Sequence, residues 1–135
     1  MARRRVLVAD DQAGVLSAVT ALLGDSFDVI ALVSDGRAAL ETTLKLEPDL
    51  VVLDISMPGM NGIEVAKELK RRAIKAKIVF LTVHEEPSIL AACFAAGALG
   101  YVVKISMESD LIPAMKEALA GRVFVSRFSS LQGSP

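Results

Sequence analysis

Asp54 stands where an uncharged run, Leu50 to Leu53, gives way to the turn formers Ser56, Pro58, Gly59, Asn61 and Gly62. So short a branched run fits a strand buried on both faces, and open parallel sheets place their ligands at the carboxyl ends of such strands. A second acid pair, Asp10 and Asp11, ends the apolar run Val6 to Ala9 in the same way. If the first and third strands are neighbours, these carboxylates meet at one rim of the sheet. Their mutual repulsion then raises at least one pKa unless a cation neutralises them. Oxygen ligands without histidine or cysteine favour Mg²⁺, which takes only one or two carboxylates and leaves room for a phosphoryl oxygen. Two more apolar runs end in groups suited to that chemistry, Thr82 after Ile78 to Leu81 and Lys104 after Tyr101 to Val103. A hydroxyl and an ammonium aimed at phosphoryl oxygens stabilise charge in the transition state, and Asp54 becomes the attacking carboxylate. Each of these residues alone would more often serve a loop or a helix cap. Their joint placement at the ends of separate runs is what points to a site.

The elements that must hold these groups follow from periodicity. Apolar runs of strand length fall near Val6 to Ala9, Val29 to Val33, Leu50 to Leu53, Ile78 to Leu81 and Tyr101 to Val103. Between and after them lie stripes of helical spacing: Val15, Leu16, Val19, Leu22 and Leu23; Ala39, Leu40, Thr43 and Leu44; Val65, Ala66 and Leu69; Leu90, Cys93 and Phe94; Leu111, Ala114, Met115, Ala118 and Leu119. Asp35 suits the cap of the second helix, and Asn61 that of the third, with Glu64 placed for a capping box. Gly24, Gly97 and Gly121 mark helix ends. Strict alternation of this kind predicts an α/β fold, a doubly wound five-stranded parallel sheet flanked by five helices. Pro113 interrupts the last stripe and predicts a kink or a late helix start. Residues 122–126 suit a short extended piece, whereas 127–135 are serine-rich and aperiodic and read as a linker or tail.

Composition bounds the rest. A chain of 135 residues that is 53% hydrophobic suits one domain, taken as residues 1–126. Its net charge of -1 gives no general attraction to nucleic acid or to acidic membrane, and Arg3, Arg4 and Arg5 read as a solvated lead-in to the first strand. The cations Lys67, Lys70, Arg71, Arg72, Lys75 and Lys77 gather where the third helix should end, complementing its dipole. One cysteine, Cys93, excludes an internal disulfide and reads as a small core hydrophobe. Mean hydropathy is high at +0.49, yet the longest uncharged stretch, Pro87 to Val103, is shorter than the roughly 20 apolar residues of a spanning helix, and glycines interrupt it. The chain reads as soluble and cytoplasmic, with no membrane partner.

Taken together, Ala9-Asp10-Asp11, the stretch from Leu53 to Gly62, Leu81-Thr82 and Tyr101 to Lys104 resemble the receiver domain of bacterial two-component response regulators. LTVHEE, AAGALGYVVK and LAGRVFVS are similar to the NarL/FixJ type of the LuxR family. The resemblance implies a flavodoxin-like strand order of 2-1-3-4-5. It also implies that Asp54 accepts a phosphoryl group from a phosphohistidine on a sensor histidine kinase. Asp11, Asp54 and the Ser56 backbone carbonyl would bind Mg²⁺ directly, and Asp10 would act through water. Lys104 would pair with the acceptor, Thr82 would donate its hydroxyl to the phosphoryl group, and Tyr101 would turn inward as the switch aromatic. The surface of the fourth helix, fifth strand and fifth helix would then change, supporting a phosphorylation-dependent homodimer. DNA would be reached only through a C-terminal helix-turn-helix domain not contained in these residues.

Departures from the family pattern carry their own expectations. Ile105 follows Lys104 where many receivers have proline, which removes the residue that makes a cis peptide accessible. Gln12 replaces the acidic residue or histidine often found after the aspartate pair. Ser56 and His84 occupy the two rim positions that govern how water reaches the aspartyl phosphate; His84 also reads simply as a loop residue. Two other functions compete. A Mg²⁺-dependent phosphatase working through an aspartyl intermediate would need a second carboxylate two residues after the nucleophile, and Ser56 stands there. A pure interaction module would not need the full set of Asp10, Asp11, Asp54, Thr82 and Lys104. Neither a P-loop nor a dinucleotide fingerprint follows any strand.

Overall fold

Strand and helix alternate throughout residues 2–129, the part of the chain that the computed structural model describes. In order these are β1 (Arg5–Ala9), α1 (Ala13–Leu23), β2 (Asp28–Val33), α2 (Gly36–Leu46), β3 (Leu50–Leu53), α3 (Gly62–Arg71), β4 (Lys77–Thr82), α4 (Pro87–Ala95), β5 (Gly100–Val103), a 3₁₀ turn (Lys104–Ser106), α5 (Met107–Leu119) and β6 (Phe124–Val125). The strands form one parallel sheet in the order β2-β1-β3-β4-β5-β6. The first five follow the order the resemblance implies. The expected five-stranded core is present, and the extended piece after α5 adds a short sixth strand at its edge, Gly100 pairing with Phe124 and Tyr101 with Val125.

Alternation along buried strands divides the core into two layers. Leu7, Ala9, Val51, Leu53, Ile78, Phe80, Tyr101 and Val103 face α2, α3 and α4, meeting Ala39, Leu40, Val65, Leu69 and Cys93. Val6, Val8, Leu50, Val52, Val79, Leu81 and Val102 face α1 and α5, meeting Val19, Leu23, Leu111, Met115 and Ala118. Cys93 lies wholly inside, and burial pushes its thiol up to about 12, as befits a packing residue.

Helix ends follow the sequence signals. The Asp35 carboxylate accepts from the Ala38 amide at 2.8 Å. Asn61 and Glu64 close a reciprocal capping box at 2.9 and 3.0 Å. Asn61→Ala should therefore lower stability by about 1 kcal/mol, measurable as a shifted urea midpoint with unchanged slope. Pro113 does not delay α5, which already begins at Met107. The ring lies on the exposed side of the helix, where the unbonded Ser109 carbonyl can meet water. At the end of α3, Arg71 and Arg72 pair with Glu68, and the Lys70 ammonium donates to the Ala95 carbonyl, so half of that cationic cluster is engaged within the chain.

Phe128 lies within the stretch read as a linker, yet it is 2% exposed and belongs to the α2–α4 layer. An aromatic side chain that reaches an apolar pocket stays there despite polar neighbours in sequence. The remainder of the tail, residues 130–135, falls outside the described residues. Among those described, no helix is long and apolar enough to cross a membrane.

Candidate functional site

Register brings the acids together. Ala9 pairs with Leu53, so Asp10 and Asp54, one residue on, leave the sheet side by side. The Asp54 amide donates to the Ala9 carbonyl at 2.9 Å, and the Asp10 amide to that of Val33 at 3.0 Å. Asp10, Asp11 and Asp54 each offer a carboxylate oxygen, all within 4.8 Å of one another. Asp10 and Asp54 are buried, whereas Asp11 faces solvent.

Lys104, the first residue beyond β5, reaches across this cluster. Its ammonium lies 2.8 Å from Asp10 Oδ2, 3.2 Å from Asp54 Oδ2 and 3.2 Å from Gln12 Oε1. The expected pairing with Asp54 is therefore shared with Asp10, and Gln12 adds a contact that the sequence did not suggest. Burial by itself would lower the lysine pKa, but the two carboxylates outweigh it and hold the ammonium above its usual range. Burial raises the Asp54 pKa and the neighbouring Asp10 charge raises it further, with Lys104 opposing only in part. One ammonium thus faces three carboxylates.

The remaining oxygens show what the cluster can still accept. Asp54 Oδ1 accepts from the Ile55 amide at 2.7 Å and Asp10 Oδ1 from the Gln12 amide at 2.8 Å. Asp10 Oδ2 is buried, and among the described residues its close cation is Lys104. An oxygen-only donor set with surplus negative charge fits a hard divalent cation.

The loop that carries Asp54 is clamped by close backbone approaches. The Gly62 amide donates to the Ile55 carbonyl at 2.8 Å, and a Cβ on Gly62 would stand 1.9 Å from the Asp54 carbonyl oxygen. A Cβ on Gly36, at the start of α2, would stand 1.8 Å from the Met60 carbonyl oxygen. Only glycine fits either place, and Gly59 between them turns the loop at φ 73°.

The opposite wall of the rim is built from the end of β4 and the loop after it. Thr82 is fully buried, and its hydroxyl accepts from the His84 amide at 3.3 Å. His84 Nε2 lies 3.0 Å from Ser56 Oγ, bridging the two walls, while Nδ1 lies 3.4 Å from the Glu86 carboxylate, a partner the sequence reading missed. Tyr101 is also fully buried, and its hydroxyl donates to the His84 carbonyl at 2.8 Å. The ring lies inward, held by the His84 carbonyl and by Phe128, whose ring centroid is 5.7 Å away. Ile105 replaces the proline often found there, every described peptide bond is trans, and its side chain is 85% exposed.

With this geometry in hand, similarity to known proteins is informative. Residues 6–116 match the family described as the response regulator receiver domain. YvfU of Bacillus subtilis, described as an uncharacterized transcriptional regulatory protein, is 37% identical over 123 residues, covering 89% of this chain and 62% of that protein. The nitrate/nitrite response regulator NarL of Escherichia coli K12 is 32% identical over 123 residues, covering 90% and 57%. The chain thus spans about three fifths of these relatives' length. Among solved structures, the isolated receiver domain of RcsB from Salmonella enterica, determined with the phosphomimetic BeF₃⁻, superposes with a TM-score of 0.85 at 28% identity over 96% of this chain and 97% of that one.

Proposed function

Because this chain belongs to the response regulator receiver domain family, we propose that it relays a signal by accepting a phosphoryl group on Asp54 from a sensor histidine kinase. The observation that carries this reading is the joint presence of Asp10, Asp11 and Asp54 within 4.8 Å with Lys104 bridging two of them. In the transfer, a carboxylate oxygen of Asp54 attacks phosphorus. The bond from phosphorus to the donor's imidazole nitrogen breaks, and its electron pair returns to the ring.

Lys104 stands where the transferred group's negative oxygens arrive, and its hold on Asp10 and Asp54 keeps the acceptor aligned. Mg²⁺ held by Asp11, Asp54 and the Ser56 carbonyl, with Asp10 acting through water, would neutralise charge on the phosphoryl oxygens. Thr82 exchanges its bond from the His84 amide for one to the new phosphate, shifting the loop against which Tyr101 is anchored. The changed surface of α4, β5 and α5 supports a phosphorylation-dependent homodimer. In a longer protein like the relatives above, it would act on DNA through a separate output domain. Ser56 occupies the place where a phosphatase of this chemistry needs an acid, so the chain promotes only its own phosphorylation and dephosphorylation.

Incubation with Mg²⁺ and acetyl phosphate should add one phosphate by intact mass, and sedimentation of the product should show a heavier species than the untreated chain. Absence of any mass gain overturns the reading, and sustained phosphate release from many esters would replace it with a hydrolase. Equal sedimentation of both forms would remove the dimer alone.

A further inference from the structure

The segment after α5 does not trail away from the domain. It leaves the α1/α5 layer, pairs with β5 at the sheet edge, and buries Phe128 in the opposite layer beside Tyr101. Ser126 fastens the crossing. It is 3% exposed, its amide donates to the Tyr101 carbonyl at 2.8 Å, and its hydroxyl donates to the Asp110 carboxylate of α5 at 2.7 Å while accepting from the Val103 amide at 3.2 Å. At the far end the Ser129 amide donates to Glu85 at 2.5 Å, in the same loop whose His84 carbonyl receives the Tyr101 hydroxyl. One short segment therefore touches β5, α5, the loop after β4 and the tyrosine ring.

We propose that residues 124–129 form a strap that occupies the β5 edge and holds Tyr101 inward, so that removing the strap changes how readily Asp54 holds a phosphoryl group. The coupling half rests on the function proposed above; the holding half rests on packing alone. The ring of Tyr101 is enclosed by Phe128 on one side and tied through its hydroxyl to the loop that follows Thr82. If the inward ring and the phosphorylated rim favour one another, linkage requires that loss of the strap weaken phosphoryl binding. The same edge is closed to any other strand while β6 occupies it. A partner that pairs there must first displace the strap, and it would report on the rim in doing so.

The sequence supplies its own probe, since Tyr101 is the only tyrosine and there is no tryptophan. In the full chain, Phe128→Ala should raise acrylamide quenching of tyrosine emission severalfold while far-UV circular dichroism stays unchanged. Amide exchange at Phe124 and Ser126 should accelerate in parallel. Ser126→Ala leaves the aromatic pair intact but unfastens the strap, and should give the same changes in smaller degree. Phe128→Leu should restore part of the protection. Quenching and exchange that stay at the parental level in both Phe128→Ala and Ser126→Ala overturn the strap, and global unfolding of Phe128→Ala transfers the decision to Ser126→Ala.

For the coupling, beryllofluoride with Mg²⁺ serves as an equilibrium probe. Its apparent affinity should fall about fivefold in Phe128→Ala, the lower end of ordinary coupling between sites. Equal affinity in a variant whose Tyr101 has become accessible overturns the coupling. A parent chain that binds no beryllofluoride and takes no phosphate sinks the phosphoacceptor reading and the coupling with it, while quenching still judges the strap.

Discussion

Asp54→Asn is expected to remove phosphorylation altogether, with the mass gain from acetyl phosphate falling by more than about a hundredfold to background. The amide side chain has nearly the same shape and can still accept from the Ile55 amide, which Asp54 Oδ1 does at 2.7 Å. What it lacks is the nucleophilic charge. The same substitution should raise the melting temperature in the absence of divalent cations. In the parent, burial and the adjacent Asp10 disfavour the Asp54 carboxylate, and Lys104 answers only one of the three negative charges. Removing one carboxylate leaves Lys104 with less repulsion to offset. Added Mg²⁺ should stabilise the parent and have little effect on the variant, because a ligand that binds only the folded state stabilises in proportion to its occupancy. A variant that still gains a phosphate would move the acceptor elsewhere. One that melts below the parent without Mg²⁺ would show that Asp54 contributes more through its contacts than it costs through its charge.

Gly62→Ala is expected to be severely damaging, as the same change at Gly36 would be. A Cβ on Gly62 would stand 1.9 Å from the Asp54 carbonyl oxygen and 2.9 Å from its carbon. Both are backbone atoms and cannot swing aside as a side chain can. Either the start of α3 or the end of β3 must move. We expect a stability loss of about 3 kcal/mol or more in urea denaturation, at the upper end of what overpacking costs. In whatever fraction remains folded, Asp54 should be displaced, and a shift of about 1 Å can lower a reaction rate on the order of a hundredfold. Gly14→Ala is the matched control, since its Cβ would meet nothing within 4 Å in α1. It should stay within about 1 kcal/mol of the parent. A Gly62→Ala variant as stable as the parent would mean that the close approach to the Asp54 carbonyl does not constrain Gly62.

The contrast between these glycines shows where sequence reading succeeds and where it stops. The runs Val6 to Ala9 and Leu50 to Leu53 are unbroken, so they read as buried strands, and the register between them places Asp10 beside Asp54. Lys104 and Thr82 could be assigned to the same end of the sheet because each terminates an apolar run of its own. Asn61 and Glu64 have the spacing of a capping box, and the box is present. Gly62, by contrast, looks like any turn former, because the carbonyl that excludes its side chain lies eight residues earlier and is met only after folding. Phe128 is a single aromatic among serines and has no periodicity to betray burial; its pocket is assembled from β5 and the α4 layer. The Gln12 contact with Lys104 spans 92 residues, and the Glu86 contact with His84 depends on loop geometry. Local pattern specifies elements, whereas these contacts belong to their arrangement.

The clamp on the acceptor loop also divides the rim mechanically. With Gly36 seated against the Met60 carbonyl and Gly62 against that of Asp54, two helix origins brace the loop from behind, and it has nowhere to recoil. The facing wall is held through side chains instead: Val83 is 66% exposed, and the chain there is tethered through His84 to Ser56 and through Glu85 to the Ser129 amide. The site thus sits between a braced jaw and a tethered one, and insertions should be tolerated in the second far better than in the first.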